Sequence, residues 1–74
     1  MSELLTTGEV MRLSGVSRQR LYSYATLGLI QPAGRGRYAR TVLRDLQLIV
    51  DLNASGYPLR EIREIFFRRR AGAG

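Results

Sequence analysis

Thr6-Thr7-Gly8-Glu9-Val10-Met11-Arg12-Leu13-Ser14-Gly15-Val16-Ser17-Arg18-Gln19-Arg20-Leu21-Tyr22-Ser23-Tyr24 is the stretch on which the fold turns. Thr6 precedes Glu9 by three residues, the capping-box spacing in which each side chain satisfies the other residue's orphan backbone N–H. A helix is therefore predicted to start there, with Val10 and Leu13 among its apolar positions. Ser14-Gly15-Val16-Ser17 then reads as a tight turn, because glycine can take the positive φ that ends a helix and Ser17 can cap the next one. A second helix is predicted over 18–27, with Leu21, Ala25 and Gly28 facing inward and Gly28 as its stop. Two short helices joined by a glycine-containing turn form a helix-turn-helix.

Outward from that core, Gln31-Pro32-Ala33-Gly34-Arg35-Gly36-Arg37-Tyr38 breaks all periodicity. With Leu29-Ile30 before it, it reads as two short extended pieces joined by a loop, a wing over 31–38. From Arg40 to Ser55 the apolar residues Val42, Leu43, Leu46, Ile49, Val50 and Leu52 cover an arc wider than one stripe, predicting a central helix touched from two sides. Gly56 ends it, and Pro58 can occupy the first turn of a last helix that buries Leu59, Ile62, Ile65 and Phe66 while Phe67 points elsewhere. The fold class expected is mainly α: a four-helix winged helix-turn-helix with a short two-stranded wing. One domain is expected over 1–67, with a basic, flexible tail over 68–74 whose last residues, Ala71-Gly72-Ala73-Gly74, are expected to fray.

The chain has 74 residues, room for one small domain whose folding hides only about 60% of its unfolded surface. All twelve basic residues are arginine against six acids, a net charge of +6. The surplus is local: Arg35, Arg37, Arg40 and Arg44 fall in residues 31–44, which contain no acid. Charge focused in one segment is what contact with a polyanion requires, a nucleic acid or, more distantly, an anionic membrane surface. There is no cysteine and no histidine, which removes thiolate chemistry, the usual proton shuttle and the commonest metal ligands. Asp45 and Asp51 fall on different helix faces, and Glu61 and Glu64 are interleaved with arginines as in surface ion pairing. No enzyme activity, cofactor or metal is expected. No apolar run is long enough to span a membrane, and the N-terminal Met-Ser-Glu-Leu-Leu lacks a basic leader, so the expected location is the cytoplasm.

On the second helix Ser17, Arg18, Gln19, Arg20, Tyr22, Ser23 and Tyr24 all carry hydrogen-bonding groups. Arginine can pair bidentately with guanine and glutamine with adenine, while serine and tyrosine hydroxyls reach phosphate oxygens. An amphipathic helix with a merely solvated polar face would share this spacing; three tyrosines near one arginine-rich loop favour contact. Tyr22 and Tyr24 cannot both lie on the buried side, so one must face outward. Tyr57, following a helix-ending glycine, is expected in the core with a wet hydroxyl.

Leu5-Thr6-Thr7-Gly8-Glu9-Val10, Gly15-Val16-Ser17, Leu21, Tyr24, Gly28-Leu29-Ile30, Pro32, Arg37-Tyr38 and Gly56-Tyr57-Pro58-Leu59-Arg60-Glu61-Ile62, in that order, resemble the DNA-binding domain of the MerR family of bacterial transcription regulators, over residues 4–66. The resemblance implies promoter binding as a dimer, with double-stranded DNA, a second copy of the chain and RNA polymerase as partners and no membrane. It places Ser17, Arg18, Gln19, Tyr22 and Tyr24 as groove and phosphate contacts, and Arg35, Arg37 and Tyr38 as wing contacts; Arg20 on the second helix and Arg40 after the wing complete the expected DNA-binding residues. Where the family usually has Thr-Leu-Arg-Tyr-Tyr this chain has Arg20-Leu21-Tyr22-Ser23-Tyr24, which implies a different base preference. Ala39 stands where a capping serine is frequent, implying a looser junction into the central helix. Full-length members continue into a dimerising helix and an effector domain. Small relatives act as protein-interaction modules resembling chaperone modulators, or as excisionase-like DNA-architectural factors, and these are the alternatives.

Overall fold

The computed structural model describes residues 3–72, with side chains through Arg69. Its elements run β1 (Leu4–Thr6), α1 (Thr7–Ser14), α2 (Arg18–Thr26), β2 (Arg37–Ala39), α3 (Val42–Ala54) and α4 (Leu59–Gly72). The architecture is mainly helical with a small antiparallel sheet, the winged helix-turn-helix expected from the sequence.

The local signals act as predicted. The Thr6 N–H donates to Glu9 Oε1 at 2.9 Å, and the Glu9 N–H donates to Thr6 Oγ1 at 3.2 Å, closing the capping box of α1. Gly15 ends α1 at φ 77°, its N–H donating to the Met11 carbonyl at 2.9 Å. Ser17 caps α2 by accepting from the Arg20 N–H at 3.2 Å. α2 closes with a Schellman motif: Gly28 sits at φ 81°, its N–H donates to the Ala25 carbonyl at 3.1 Å, and the Leu29 N–H reaches the Tyr24 carbonyl at 2.9 Å.

The sheet departs from the expected hairpin. β2 pairs with β1, Leu5 opposite Tyr38, whereas Leu29 and Ile30 form no strand. The reason lies in burial: Leu5 and Tyr38 alternate inward between exposed neighbours, as a one-sided sheet needs, while Leu29 and Ile30 are consecutive and both buried. They plug the core beneath the helices. A bridge between Gly34 and Arg37 closes a two-residue tip, Arg35-Gly36, with the Arg37 N–H donating to the Gly34 carbonyl at 3.2 Å.

Further corrections concern single positions. Gly28 is exposed, because α2's inward stripe is Leu21, Tyr24 and Ala25 and the chain has left the helix by residue 28. α3 begins at Val42, two residues later than predicted, with Arg40 and Thr41 forming a turn; Thr41 makes no side-chain cap. Val50 lies at the exposed edge of α3's arc. Tyr57 is 43% exposed, because Gly56 at φ 105° turns the chain outward. α4 continues through Gly72 where a frayed tail was expected, since Phe66 anchors its last buried turn and Arg and Ala favour the helix. Residues 73 and 74 lie outside the described residues.

The core gathers Leu5, Val10, Val16, Leu21, Tyr24, Leu29, Ile30, Tyr38, Val42, Leu46, Ile49, Ile62 and Phe66, so every element contributes to it. α1 packs on α2, α3 and both strands, and α4 packs on α3.

The hydrogen bonds from Thr6 hold the Glu9 carboxyl below its ordinary pKa, with the Arg12 and Arg37 charges helping. A depressed folded-state pKa contributes stability above the unfolded value that is lost as pH falls through the folded one. The melting temperature of the wild type should therefore fall on acidification below about pH 4.5. Glu9→Gln, which can still accept from Thr6 but does not titrate, should show a shallower acid limb; parallel limbs would remove Glu9 from the account.

Candidate nucleic-acid interface

α2 is rolled about its axis by Leu21 and Tyr24, which both point into the core. A helical period then leaves Gln19, Tyr22, Ser23 and Thr26 along the opposite side, where they line one open groove bordered by Leu59. Arg18 stands one turn before Tyr22, and Ser17, Arg18, Gln19 and Arg20 are all exposed at the amino end of α2. Of the two neighbouring tyrosines, Tyr22 is 56% exposed and Tyr24 only 2%, so one faces outward as expected.

The wing is held against α1, on which α2 also packs. The Thr7 N–H donates to the Gly36 carbonyl at 3.1 Å, tying the tip to the start of α1. Arg37 lies within the field felt by Glu9 on α1. Tyr38 has its phenol pKa raised, first by burial and then by the Tyr22 phenol. Arg35, Arg37 and Arg40 are exposed along the wing and the turn that follows it.

Tyr24 and Tyr38 differ from the other predicted contacts, since their rings belong to the core. No buried polar side-chain atom among the described residues lacks a hydrogen-bond partner. What these two tyrosines can offer a ligand is the phenolic oxygen alone.

The sequence reading missed Arg63. Its Nε–H donates to the Leu27 carbonyl at 2.8 Å, joining α4 to the end of α2 across 36 residues. Nothing local in the sequence signals this bond, because the partner is a backbone atom of another element. Around it Leu27, Gly28, Gln31, Arg63, Glu64, Phe67 and Arg68 line a depression of about 500 Å³, and Phe67 is 65% exposed at its edge.

A family model described as MerR HTH family regulatory protein matches residues 5–68. The chain belongs to that family. No solved structure matches it. Membership makes this MerR-type chain a DNA-binding regulatory domain, and such domains are not typically enzymes. Among the described residues no helix is long and apolar enough to cross a membrane.

The tip geometry of this MerR-type wing can be tested directly. Gly36 has φ 66°, and a Cβ added there would meet Thr7 Oγ1 at 3.7 Å, an ordinary contact. The penalty for a side chain is thus conformational, and Gly36→Val should cost about 1–2 kcal/mol through the left-handed backbone. Amide exchange should accelerate at Thr7, Ala33 and Arg37, whose N–H groups bond within or to the tip. Unchanged exchange at all three would show that the tip does not depend on glycine.

Proposed function

We propose that the domain reads double-stranded DNA with α2 in the major groove and the wing on the flanking backbone. Arg18, Gln19, Arg20 and Tyr22 face base edges and adjoining phosphates, Ser17 meets the backbone at the helix start, and Arg35, Arg37 and Arg40 neutralise phosphates beyond the groove. Tyr24 and Tyr38 contribute their hydroxyl oxygens and hold α2 and β2 in place through their rings. The observation that carries this reading is that α2, exposing Ser17, Arg18, Gln19, Arg20 and Tyr22, and the wing strand, exposing Arg37 with Arg35 and Arg40 on either side of it, both pack on α1.

With Tyr22 at the position where the family commonly has arginine, base discrimination passes to Arg18, Gln19 and Arg20. A tyrosine contributes a phenolic hydroxyl and an apolar ring face instead of the two-pronged donor that matches guanine. A single module of this kind covers about 600–1,000 Å² of its surface on DNA and binds modestly alone, so a second copy of the chain strengthens the complex. RNA polymerase at the same promoter is the other protein partner, and the cytoplasm is where such a regulator meets its target.

A second reading, a module for an acidic protein partner, draws on exposed Phe67 between Arg63 and Arg68. Electrophoretic retention of random duplex at low salt distinguishes the two. Binding is expected at micromolar protein; free duplex there would favour the second reading.

Phosphate neutralisation by about five arginines should give log K against log salt a slope near −4 to −5. Arg35→Ala or Arg37→Ala should each flatten that slope by about one unit without changing which sequences are preferred. A slope unmoved by both substitutions would take the wing off the phosphates.

A further inference from the structure

Seven side-chain hydrogen bonds between described residues join partners no more than four apart in sequence. The bond from Arg63 to Leu27 spans 36 residues and so belongs to the tertiary structure. Its acceptor lies at the carboxyl end of the helix proposed to enter the groove.

The chemistry there fits a guanidinium. A helix carboxyl end carries partial negative charge on carbonyls that its own backbone leaves unpaired, and a cation near it is stabilising. In α2 the Schellman closure satisfies the Tyr24 and Ala25 carbonyls. The Leu27 carbonyl lies beyond that pattern, and α2 has no basic residue in its last turn. Arg63 supplies the missing cation from α4. Its own position is set by Ile62, the residue before it, and Phe66, three residues on, both buried in the core. A bond with one end on α4 and the other at the end of α2 resists rocking of α2 about its buried stripe of Leu21 and Tyr24.

We infer that Arg63 is a positioning residue for DNA recognition, a latch that sets the pitch of α2 and thereby the presentation of Ser17, Arg18, Gln19 and Tyr22. This rests on the DNA-binding reading above. It differs from a phosphate contact, in which Arg63 would act on DNA itself, and from a general contribution to folding.

The test compares Arg63→Met, which keeps an unbranched stem and loses the charge and the donors, with Arg63→Lys, which keeps both in a more compact head. The 74-residue chain is used throughout. Amide exchange is followed at Gly28 and Leu29 in the α2 closure and at Val10 and Ile49 in the core. Binding is measured to a duplex selected by the wild type from a random pool and to its scrambled counterpart, over a range of salt. Arg63→Met should speed exchange at Gly28 and Leu29 about three- to tenfold, leave Val10 and Ile49 unchanged, and lower the selected-to-scrambled affinity ratio by a similar factor. The salt slope should stay as in wild type, and Arg63→Lys should recover part of the ratio. A slope flattened by about one unit would make Arg63 a phosphate contact and overturn the inference. So would unchanged exchange at Gly28 and Leu29, or an equal acceleration at all four amides. If wild type retains no duplex, the DNA reading fails by itself, and the exchange pattern still decides whether the latch exists.

Discussion

Burial of Leu21 and Tyr24 beneath α2 is the constraint on which the rest of the molecule depends. Taking a leucine or aromatic side chain fully out of water is worth about 1.5–3 kcal/mol. A domain of this size has few such contributions, so its rotational setting of α2 leaves little choice. With that stripe inward, helical periodicity puts Gln19, Tyr22, Ser23 and Thr26 on the outside without any further interaction to aim them. The polar face is thus a consequence of the apolar one. A change at Leu21 would disturb the candidate site as surely as a change at Arg18, though Leu21 itself is fully buried.

The wing depends on the same core by a different route. Tyr38 is the inward residue of β2 and Leu5 its inward partner on β1, so the register of the sheet is specified by one buried pair. Shifting that register by one residue would expose Tyr38 and turn Arg37 inward, an uncompensated charge in an apolar core. From Arg37 the chain then runs back to a tip closed by Gly36 and tied to α1 through Thr7. The amino-terminal segment thereby serves both units: Thr6 caps α1 and pairs in β1, and the next residue holds the wing.

Local chemistry was the legible part of this sequence. Capping boxes, left-handed glycines and amphipathic faces are specified by residues a few positions apart, and Thr6, Glu9, Gly15, Ser17 and Gly28 all behave as their neighbours dictate. Long-range choices were not legible. That β2 takes β1 as its partner and not Leu29-Ile30 depends on which segment the helices need as a plug, and no window of sequence contains that competition. The candidate site divides in the same way: the exposed residues at the start of α2 and at the wing follow from pattern, whereas the burial of the Tyr24 and Tyr38 rings and the Arg63 bond to Leu27 require the packed molecule. Tyr57 shows the opposite failure, since an aromatic beside a helix-ending glycine fits either side of the surface and only the direction of the turn decides.

The composition also shapes how such a surface would respond to its surroundings. Every basic side chain is an arginine and there is no histidine, so the positive side chains are all guanidinium groups. Tyr38 has its phenol pushed further from neutrality, first by burial and then by the Tyr22 phenol. Contacts from guanidinium groups to phosphates weaken as ionic strength rises. Geometry offers two levers on such a surface, the pitch of α2 and the seat of the wing. Of these, the pitch of α2 is held from α4 by one guanidinium whose partner is a main-chain oxygen. A backbone acceptor survives substitution of its own residue, so residue 27 can vary while the latch depends on position 63 alone.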